Sequence, residues 1–410
     1  MDEMDHRAIG NRMELFHQQD DGPGMIFWHP RGWTLWRLVE NDIRRRMRAA
    51  GYQEVRTPQL MARSLWEKSG HWEKFGAAMF EVESEGRSFA LKPMSCPGHV
   101  QLFNKRLRSH RDLPVRYAEF GACHRFEPSG SLQGLMRTRA FVQDDAHVLC
   151  AVDQVEDEVL RFSRLLSETY ADFGFDGVEV GFSTRPPVRA GDDALWDRAE
   201  AMLAGAATAA GLRFRVQPGE GAFYGPKLEF SLADNRGRRW QCGTIQLDFV
   251  LPGRLGASYA TNDNGRAEPV LIHHAVLGSL ERFIAILLEH WEGHLPPWLA
   301  PEQVTVASIG RDQAAWARQV AGRFGDRGLR VVLDDSDDTL SRKIVSARDL
   351  GIPLMAAVGR REAASGTVAL RGPDGRPEVL PLEDAIGRLQ VLCRGPADRI
   401  VRGEGPGAAS

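Results

Sequence analysis

Two segments with the composition of β-strands constrain the fold of this chain more than any other feature of its sequence. Residues 117–126 and 140–149 are rich in β-branched, aromatic and small side chains. The segment between them carries Pro128, Gly130, Gly134 and two serines, which are typical of a loop. The pattern predicts two strands joined by a long loop, around which the rest of the chain is organised.

Charged side chains are concentrated on this predicted hairpin. They are three arginines, one glutamate, two adjacent aspartates and one histidine: Arg125, Arg137, Arg139, Glu127, Asp144, Asp145 and His147. Guanidinium groups bind phosphates and carboxylates, and inward-pointing carboxylates suit an ammonium group. A nucleoside triphosphate together with an amino acid is one ligand set of this kind. A charged, solvated hairpin is the alternative that composition alone leaves open.

The composition predicts a multidomain globular protein of the cytoplasm. A chain of 410 residues with 43% hydrophobic and 26% charged residues is long enough for two or three domains. Its apolar run at 283–288 is too short to span a membrane, and its acidic N-terminus lacks the apolar core of a secretion signal. Five scattered cysteines indicate a reducing compartment. Since the net charge is −3, any RNA contact has to be local.

The order of periodic segments predicts a change of architecture near residue 300. Apolar residues at helical spacing predict a helix over 34–50, with Thr34 as its N-cap and Gly51 as its C-cap. Pro296, Pro297 and Pro301 mark a domain boundary. Beyond it, strands alternate with helices, which favours a small α/β domain with a mainly parallel sheet.

Eight short segments, taken in order, resemble the threonyl-tRNA synthetases, which are class II aminoacyl-tRNA synthetases. They are DHRAIG, KSGHWEKF, KPMSCPGHV, FGACHRFEPSGSL, FVQDDAHVLC, GEGAFYGPKLEF, QCGTIQLDF and GSLERF. The resemblance extends from about residue 5 to about residue 392. It implies an α+β fold with an antiparallel catalytic sheet of six to seven strands flanked by helices, then a small α/β anticodon-binding domain. The implied domains are 1–298 and 299–400, with a disordered tail at 401–410.

The resemblance implies ATP-dependent activation of L-threonine to threonyl-adenylate and its transfer to the 3′ end of threonine tRNA. Such a threonine–tRNA ligase needs positioning and charge neutralisation at the α-phosphate rather than a covalent enzyme intermediate. The implied catalytic residues are Arg125, Lys227, Arg282 and His71. The implied ATP contacts come from Arg125, Glu127, Arg137, Phe141, Gln241 and Arg282, with Mg²⁺ bound to the ATP.

The resemblance also implies one zinc ion per chain, held by Cys96, His147 and His273. One thiolate and two neutral imidazoles suit zinc, and three protein ligands leave a position open for substrate. His274, beside His273, is an alternative ligand. The implied threonine-binding residues are Gln143, Asp145, Tyr224, Thr244 and Gln246. Such a site should reject valine, which lacks the hydroxyl group, far better than serine, which lacks only a methyl group.

The expected macromolecular partners follow from the same resemblance. His71 matches a residue that assists transfer to tRNA, although it could instead be a packed histidine between Gly70 and Trp72. Glu362 and Arg371 match residues that bind the anticodon. Ser341 and Val345 stand where glycine and arginine are usual in the family, which is a departure within the anticodon-binding domain.

The chain given begins where the catalytic core of the family begins. We therefore expect a short form, without the N-terminal ubiquitin-like and editing domains and without cis editing of serine. A separate editing protein or a full-length synthetase would then be a partner, and a homodimer is expected from the family. Two alternative functions stay open at this point: an aminoacyl ligase for a carrier protein, and a non-enzymatic synthetase paralogue that acts as a binding or regulatory module.

Overall fold

The structure is a computed structural model that describes residues 3–234, 236–372 and 375–396. Contacts divide the chain into two compact units. One unit consists of the chain up to His17, of Phe27–Asp42 and of the chain from Leu287 onward, and the other consists of Gln18–Ile26 and Ile43–Ile286. The predicted domains 1–298 and 299–400 stay a prediction, and the predicted disordered tail lies outside the described residues.

The described residues form the following helices. They are α1 His6–Arg12, α2 Pro30–Ala49, α3 Arg63–Ser69, α4 His71–Phe75, α5 Cys96–Asn104, α6 Val155–Asp172, α7 Asp193–Ala209, α8 Leu251–Arg254, α9 Leu280–His290, α10 Ala314–Asp326, α11 Leu340–Asp349, α12 Arg360–Ser365 and α13 Leu382–Leu392.

The strands of the same residues are, in chain order, β1 Phe16–His17, β2 Phe27–Trp28, β3 Gln53–Glu54, β4 Leu60–Ala62, β5 Glu81–Ser84, β6 Arg87–Leu91, β7 Val115–His124, β8 Ala140–Cys150, β9 Glu179–Ser183, β10 Phe214–Gln217, β11 Lys227–Ala233, β12 Arg239–Asp248, β13 Tyr259–Ala260, β14 Arg266–Ala267, β15 Val270–Ala275, β16 Val304–Ser308, β17 Val331–Asp334, β18 Leu354–Val358, β19 Thr367–Arg371 and β20 Pro377–Pro381.

An eight-stranded sheet organises the unit that contains residues 43–286. Its strand order is β10-β9-β11-β12-β15-β8-β7-β3. The expectation of six to seven strands was therefore too low, because the short edge strands β3 and β10 also pair. The central pairs are antiparallel, whereas β9–β10 and β3–β7 are parallel. The predicted α+β class with an antiparallel-rich sheet is confirmed.

The predicted hairpin lies in this sheet as β7 and β8. The two strands pair antiparallel along their whole length, from Val115 opposite Leu149 to His124 opposite Ala140. Every second residue of β7 is buried, as expected for a strand whose successive side chains point to opposite faces. One face packs against α5 through Val100 and Phe103. The other face of the sheet packs against α6, where the ring of Phe162 lies 4.7 Å from that of His274 on the neighbouring strand β15.

Helix α2 begins earlier than the sequence indicated. Pro30 is its first residue, so Thr34 lies inside the helix, and its hydroxyl group donates to the carbonyl oxygen of Pro30 at 2.9 Å. Proline is favoured at the first helical position because its missing N–H would have no partner there. The prediction of Thr34 as the N-cap was wrong. The predicted end is correct, since Gly51 follows with a φ of +85°.

A five-stranded sheet with the order β17-β16-β18-β19-β20 lies in the other unit. Strands β16, β17 and β18 pair in parallel, and β19 and β20 add an antiparallel hairpin. Helices α10 and α13 contribute Val320, Phe324 and Leu389 to the core beside this sheet. The predicted alternation of strands and helices is confirmed, with the short helix α12 as an addition. Among the described residues, no helix is long and apolar enough to cross a membrane.

Candidate active site

A cavity of about 440 Å³ lies beside both ends of the loop between β7 and β8. Its lining includes most of the residues to which the sequence assigned catalysis or the binding of ATP or threonine. These are Arg125, Glu127, Arg137, Phe141, Gln143, Tyr224, Lys227, Gln241, Thr244, Gln246 and Arg282. The residues come from β8, β11, β12 and α9 and from the loops between them, so the sheet brings distant parts of the sequence to one place.

Carbonyl oxygens hold the two inner guanidinium groups of this cavity. Arg125 donates to the carbonyl oxygen of Pro93 at 3.2 Å, and its guanidinium carbon lies 5.1 Å from the centre of the Phe141 ring. Arg282 donates to the carbonyl oxygens of Met136 at 2.9 Å and Gln241 at 2.8 Å. Since their partners are neutral, both cations keep their charge available for a bound anion.

Two further cations lie at the same cavity with carboxylates beside them. Lys227 donates to Glu229 at 2.7 Å, and Arg137, whose side chain is half exposed, lies 3.5 Å from Glu127. Burial lowers the pKa of Arg282, and the charges of Arg125 and Arg137 lower it further. Three guanidinium groups therefore repel one another in this region, and a polyphosphate would relieve the repulsion.

Cys96, His147 and His273 form a buried cluster next to the cavity. One ligand atom from each lies within 4.8 Å of those of the other two. His147 and His273 face each other in register on β8 and β15, and Cys96 is the first residue of α5. The three residues that were predicted as zinc ligands thus lie together, with one sulfur and two nitrogen donors, and their role as ligands stays a prediction.

The electrostatics of the cluster fit a bound cation such as zinc. Burial raises the pKa of the Cys96 thiol, and the charges of Asp145 and Asp248 raise it further, so a bare thiolate is costly there. Burial lowers the pKa of His147, which keeps this imidazole neutral, as a metal ligand must be. Zinc is bound by this set of donors in open, substrate-binding sites.

His274 does not belong to the cluster, although it was considered as an alternative ligand. Its Nε2 atom lies 2.7 Å from the hydroxyl oxygen of Tyr52. Adjacent residues of a strand point to opposite faces of the sheet, and His274 lies on the face that packs against Phe162 of α6. The alternation of side chains along β15 therefore separates the two neighbouring histidines.

Most of the residues predicted to bind threonine line the cavity, whereas Asp145 lies beside the cluster. Asp145 is buried, accepts from the backbone N–H of Ser95 at 2.9 Å and has its second oxygen 3.8 Å from Nε2 of His147. Burial raises the pKa of Asp145. Tyr224 donates to Gln246 at 2.7 Å, and its ring stacks on that of His273 at 4.7 Å. The carboxylate of Asp145, the hydroxyl group of Tyr224 and the amide of Gln246 are thus the polar groups that a small polar ligand would meet near the cluster.

His71 lies behind the cluster rather than in the cavity lining. It is fully buried, with Nδ1 2.7 Å from the hydroxyl oxygen of Ser69 and Nε2 3.4 Å from the sulfur of Cys96. Burial lowers its pKa to about 3, and the charges of His273, Arg254 and Arg125 contribute. His71 is therefore a neutral imidazole that contacts a predicted zinc ligand.

The two predicted anticodon residues belong to the other compact unit. Glu362 accepts from the backbone N–H of Gly359 at 2.9 Å and so closes the first turn of α12. Arg371, at the end of β19, donates to the carbonyl oxygen of Gly375 at 3.1 Å. Glu362 therefore has a local structural role in addition to the predicted one.

Near the site lie two further polar residues to which the sequence analysis assigned no role. Asp144 accepts backbone N–H groups from Val276, Leu277 and Gly278 at 2.8–2.9 Å and so fixes the turn before α9. Asp248 lies 2.9 Å from Nε2 of His273. Both aspartates occur in the quoted motifs, but their partners depend on strand pairings that no local pattern reveals.

Two protein families match the chain. Residues 80–291 match the family described as tRNA synthetase class II core domain (G, H, P, S and T), and residues 303–392 match the family described as anticodon binding domain. The first match alone covers more than half of the chain. The two matched regions follow one another in the order that the sequence analysis predicted.

Curated relatives carry the description threonine–tRNA ligase. The chain is 56% identical over 388 residues to the protein of Caulobacter sp. (strain K31), covering 94% of this chain and 59% of that protein. It is 54% identical over 387 residues to the protein of Alkalilimnicola ehrlichii, covering 94% of this chain and 60% of the relative. The chain thus spans about three fifths of the length of the curated relatives it matches.

Solved structures agree with these matches. The RNA binding domain of threonyl-tRNA synthetase from Cryptosporidium parvum Iowa II superimposes with a TM-score of 0.92 at 39% identity, covering 95% of this chain and 98% of that chain. Prolyl-tRNA synthetase from Giardia lamblia superimposes with a TM-score of 0.74 at 21% identity, covering 97% and 80%. The second likeness concerns the fold alone.

Proposed function

The chain belongs to the threonyl-tRNA synthetases of class II, and from this membership we propose that it activates L-threonine with ATP and transfers it to the 3′ end of threonine tRNA. One observation supports this proposal most strongly. A buried cluster with one sulfur and two nitrogen donors adjoins a cavity that is lined by Arg125 and Arg282. The hydrogen bonds of these two arginines go to backbone carbonyl oxygens. The cluster suits an amino acid with a hydroxyl group, and the arginines suit a triphosphate.

In the activation step, the threonine carboxylate attacks the α-phosphorus of ATP, and the bond to the leaving pyrophosphate breaks. Arg125 would neutralise the carboxylate and the α-phosphate, and Arg137 and Lys227 would neutralise the outer phosphates. Phe141 and Arg282 would enclose the adenine ring, with Glu127 and Gln241 at its edge. Since the attacking group is already an anion, the protein needs to supply positioning and charge rather than a general base. Mg²⁺ would accompany the ATP.

Zinc held by Cys96, His147 and His273 would supply a Lewis-acidic position for the amino and hydroxyl groups of threonine. Asp145 would accept a hydrogen bond from the hydroxyl group, and Gln143 and Tyr224 would hold the amino group. Thr244 and Gln246 would line the same pocket. Valine would leave the buried carboxylate without its donor, and sites built to hydrogen-bond a substrate hydroxyl group reject analogues that lack it by about 10⁴- to 10⁵-fold. Serine loses only a methyl contact worth about 1–3 kcal/mol, so we expect this site to activate some serine.

The match of residues 303–392 to an anticodon-binding domain favours tRNA over a carrier protein as the acceptor. Glu362 and Arg371 are the proposed anticodon contacts. His71 is proposed to assist transfer as a neutral imidazole, since its pKa is lowered to about 3 by burial first and by neighbouring cations. A homodimer, a cytoplasmic location and a separate protein that edits serine errors stay predictions of the sequence.

Replacing Asp145 by asparagine tests the threonine site. Asp145→Asn should lower kcat/KM for threonine in pyrophosphate–ATP exchange about 10- to 100-fold, because a hydrogen bond to a charged group contributes about 1.5–3 kcal/mol. The KM for ATP should stay within about twofold. Asp153→Asn, at an exposed position before α6, serves as the matched control and should leave exchange unchanged. Equal kinetics of Asp145→Asn and wild-type protein would contradict the proposed role.

A further inference from the structure

We propose that His99 is a positioning residue that, with Glu119, fixes which nitrogen of His147 faces the metal. Asp248 has the corresponding role for His273. The inference rests on the proposed function, because it concerns the same metal centre. Neither His99 nor the two carboxylates belongs to the ligand set. His99 and Asp248 each contact a ligand, and Glu119 acts through His99.

A continuous row of buried side chains leads away from the cluster on one side. Nδ1 of His147 lies 2.8 Å from Nδ1 of His99, and Nε2 of His99 lies 3.1 Å from an oxygen of Glu119. On the other side, Nε2 of His273 lies 2.9 Å from an oxygen of Asp248. Each histidine ligand is thus connected to a buried carboxylate, His273 directly and His147 through a second histidine.

Both carboxylates are themselves fixed in place. Glu119 accepts from Lys92 at 2.7 Å and from the hydroxyl group of Thr57 at 2.8 Å, and Lys92 is fully buried. Asp248 accepts backbone N–H groups from Val250 at 2.7 Å and from Leu251 at 2.9 Å. Groups that are anchored in this way can dictate the orientation of whatever donates to them.

The direction of these hydrogen bonds follows from the two carboxylates, Glu119 and Asp248, at which they end. An ionised carboxylate only accepts, so Nε2 of His99 has to carry a proton. In its neutral form His99 has only this one N–H, so its Nδ1 accepts and Nδ1 of His147 donates to it. This leaves Nε2 of His147 with a free lone pair. By the same argument, the carboxylate of Asp248 accepts a hydrogen bond from Nε2–H of His273, which leaves Nδ1 of His273 with a free lone pair.

The two free lone pairs point to the same place. Nε2 of His147 and Nδ1 of His273 lie 3.0 Å apart. Two acceptors at this distance repel each other unless a cation lies between them. The row of side chains therefore presets both imidazoles as metal ligands beside Cys96. Partners of this kind contribute a factor of about 10–100 to metal affinity in other proteins.

Two substitutions of His99, by glutamine and by leucine, distinguish a positioning role from a role in packing alone. The amide of glutamine can donate to Glu119 and accept from His147, as His99 does, whereas leucine can do neither. His99→Leu should weaken zinc binding about 10- to 100-fold, as measured by competition with a chromophoric chelator. His99→Gln should stay within about threefold of the wild-type affinity. In the cobalt-substituted protein, His99→Leu should also shift the d–d absorption bands, which report the ligand geometry.

His274→Leu provides the matched control. His274 is a buried histidine adjacent to a ligand, with its hydrogen bond to Tyr52 on the other face of the sheet. Its replacement should lower thermal stability but leave the zinc affinity and the cobalt spectrum unchanged. Thermal unfolding of every variant shows which proteins are folded when the metal is measured.

The outcomes separate this inference from the proposed function. If the wild-type protein itself binds no zinc, the metal centre of the proposed function fails. If the wild-type protein binds zinc and folded His99→Leu binds it equally well, the positioning role is wrong and the proposed function stands. Equal losses in His99→Leu and His274→Leu would indicate general destabilisation and would also overturn the inference.

Discussion

At the residue scale, buried carboxylates fix the polar side chains of the catalytic sheet. Asp144 accepts three backbone N–H groups before α9, Asp248 orients His273, and Glu119 lies between Lys92 and His99. A buried carboxylate is costly unless donors surround it. Each of these three has such donors, so the positions of the neighbouring groups with proposed catalytic and metal-binding roles are strongly determined.

Glu119 should make the stability of the metal-free protein depend on acid pH. Burial alone would raise its pKa, but hydrogen bonds from His99 and Lys92 and the charge of Lys92 outweigh it and lower the pKa to about 2, below the usual 4.5. Its contribution is therefore complete above pH 4.5 and is lost as the pH falls toward 2. The free energy of unfolding of Glu119→Gln should lie on the order of 3 kcal/mol below that of wild-type protein at pH 6.

The difference between the two proteins should shrink as the pH falls from about 4.5 toward 2, which urea unfolding of chelator-treated protein can measure. Glu83→Gln, at an exposed position of β5, is the control and should follow the wild-type curve at every pH. A difference between Glu119→Gln and wild-type protein that stays constant from pH 6 to pH 3 would show that the charge of Glu119 is not the cause.

The sequence indicated the three predicted metal ligands but not the residues that contact them. Cys96, His147 and His273 were predicted from motifs, and the structure brings them together. His99 and Glu119 lie in or beside the same motifs, yet the contacts of His99 with Glu119 and His147 depend on the packing of α5 against β7 and β8. Since such contacts join residues 20 and 48 positions apart, local spacing carries no signal for them.

At the element scale, the turn from β15 into α9 positions Arg282. Gly278 in this turn has a φ of +75°, and a Cβ atom there would lie 2.5 Å from the carbonyl oxygen of Cys242. Its N–H also donates to Asp144 at 2.8 Å. Only glycine satisfies all three conditions, so the geometry of the turn and the start of α9 depend on this residue.

Gly278→Ala should therefore destabilise the protein by about 1–3 kcal/mol and raise the KM for ATP in pyrophosphate–ATP exchange, because the turn holds Arg282. Gly205→Ala is the control, and its expected effect on stability has the opposite sign. Gly205 lies inside α7 with open space around it, so alanine there should stabilise the protein by about 0.5–1 kcal/mol. A Gly278→Ala protein with wild-type stability and wild-type KM would contradict the role of the turn.

Long elements were predictable and short ones were not. The strands β7 and β8 were predicted within about two residues at each end, because ten-residue segments show their composition clearly. The edge strands β3 and β10 have two and four residues, and with them the sheet has eight strands, whereas the family resemblance implied six to seven. The start of α2 was misplaced because Thr34 resembles an N-cap, whereas Pro30 supplies the actual start.

At the scale of the whole molecule, the chain combines a class II synthetase core with an anticodon-binding domain. The order of these parts was predicted from motifs and from the alternation of strands and helices after residue 303, and the family matches confirm it. The division of the chain by contacts was not predictable, because α2 and α9 each contribute to both compact units. Such pairing of distant segments depends on tertiary packing that a linear pattern does not encode.

The central claim is that this chain activates threonine at a metal site which senses the hydroxyl group. Pyrophosphate–ATP exchange by zinc-loaded protein, measured with threonine, serine and valine, tests it most directly. We predict strong exchange with threonine, exchange about 10- to 200-fold weaker with serine, and none detectable with valine. Removal of the metal should abolish the preference for threonine over valine. Absence of threonine-dependent exchange in zinc-loaded, folded protein, or equal exchange with valine, would contradict the account.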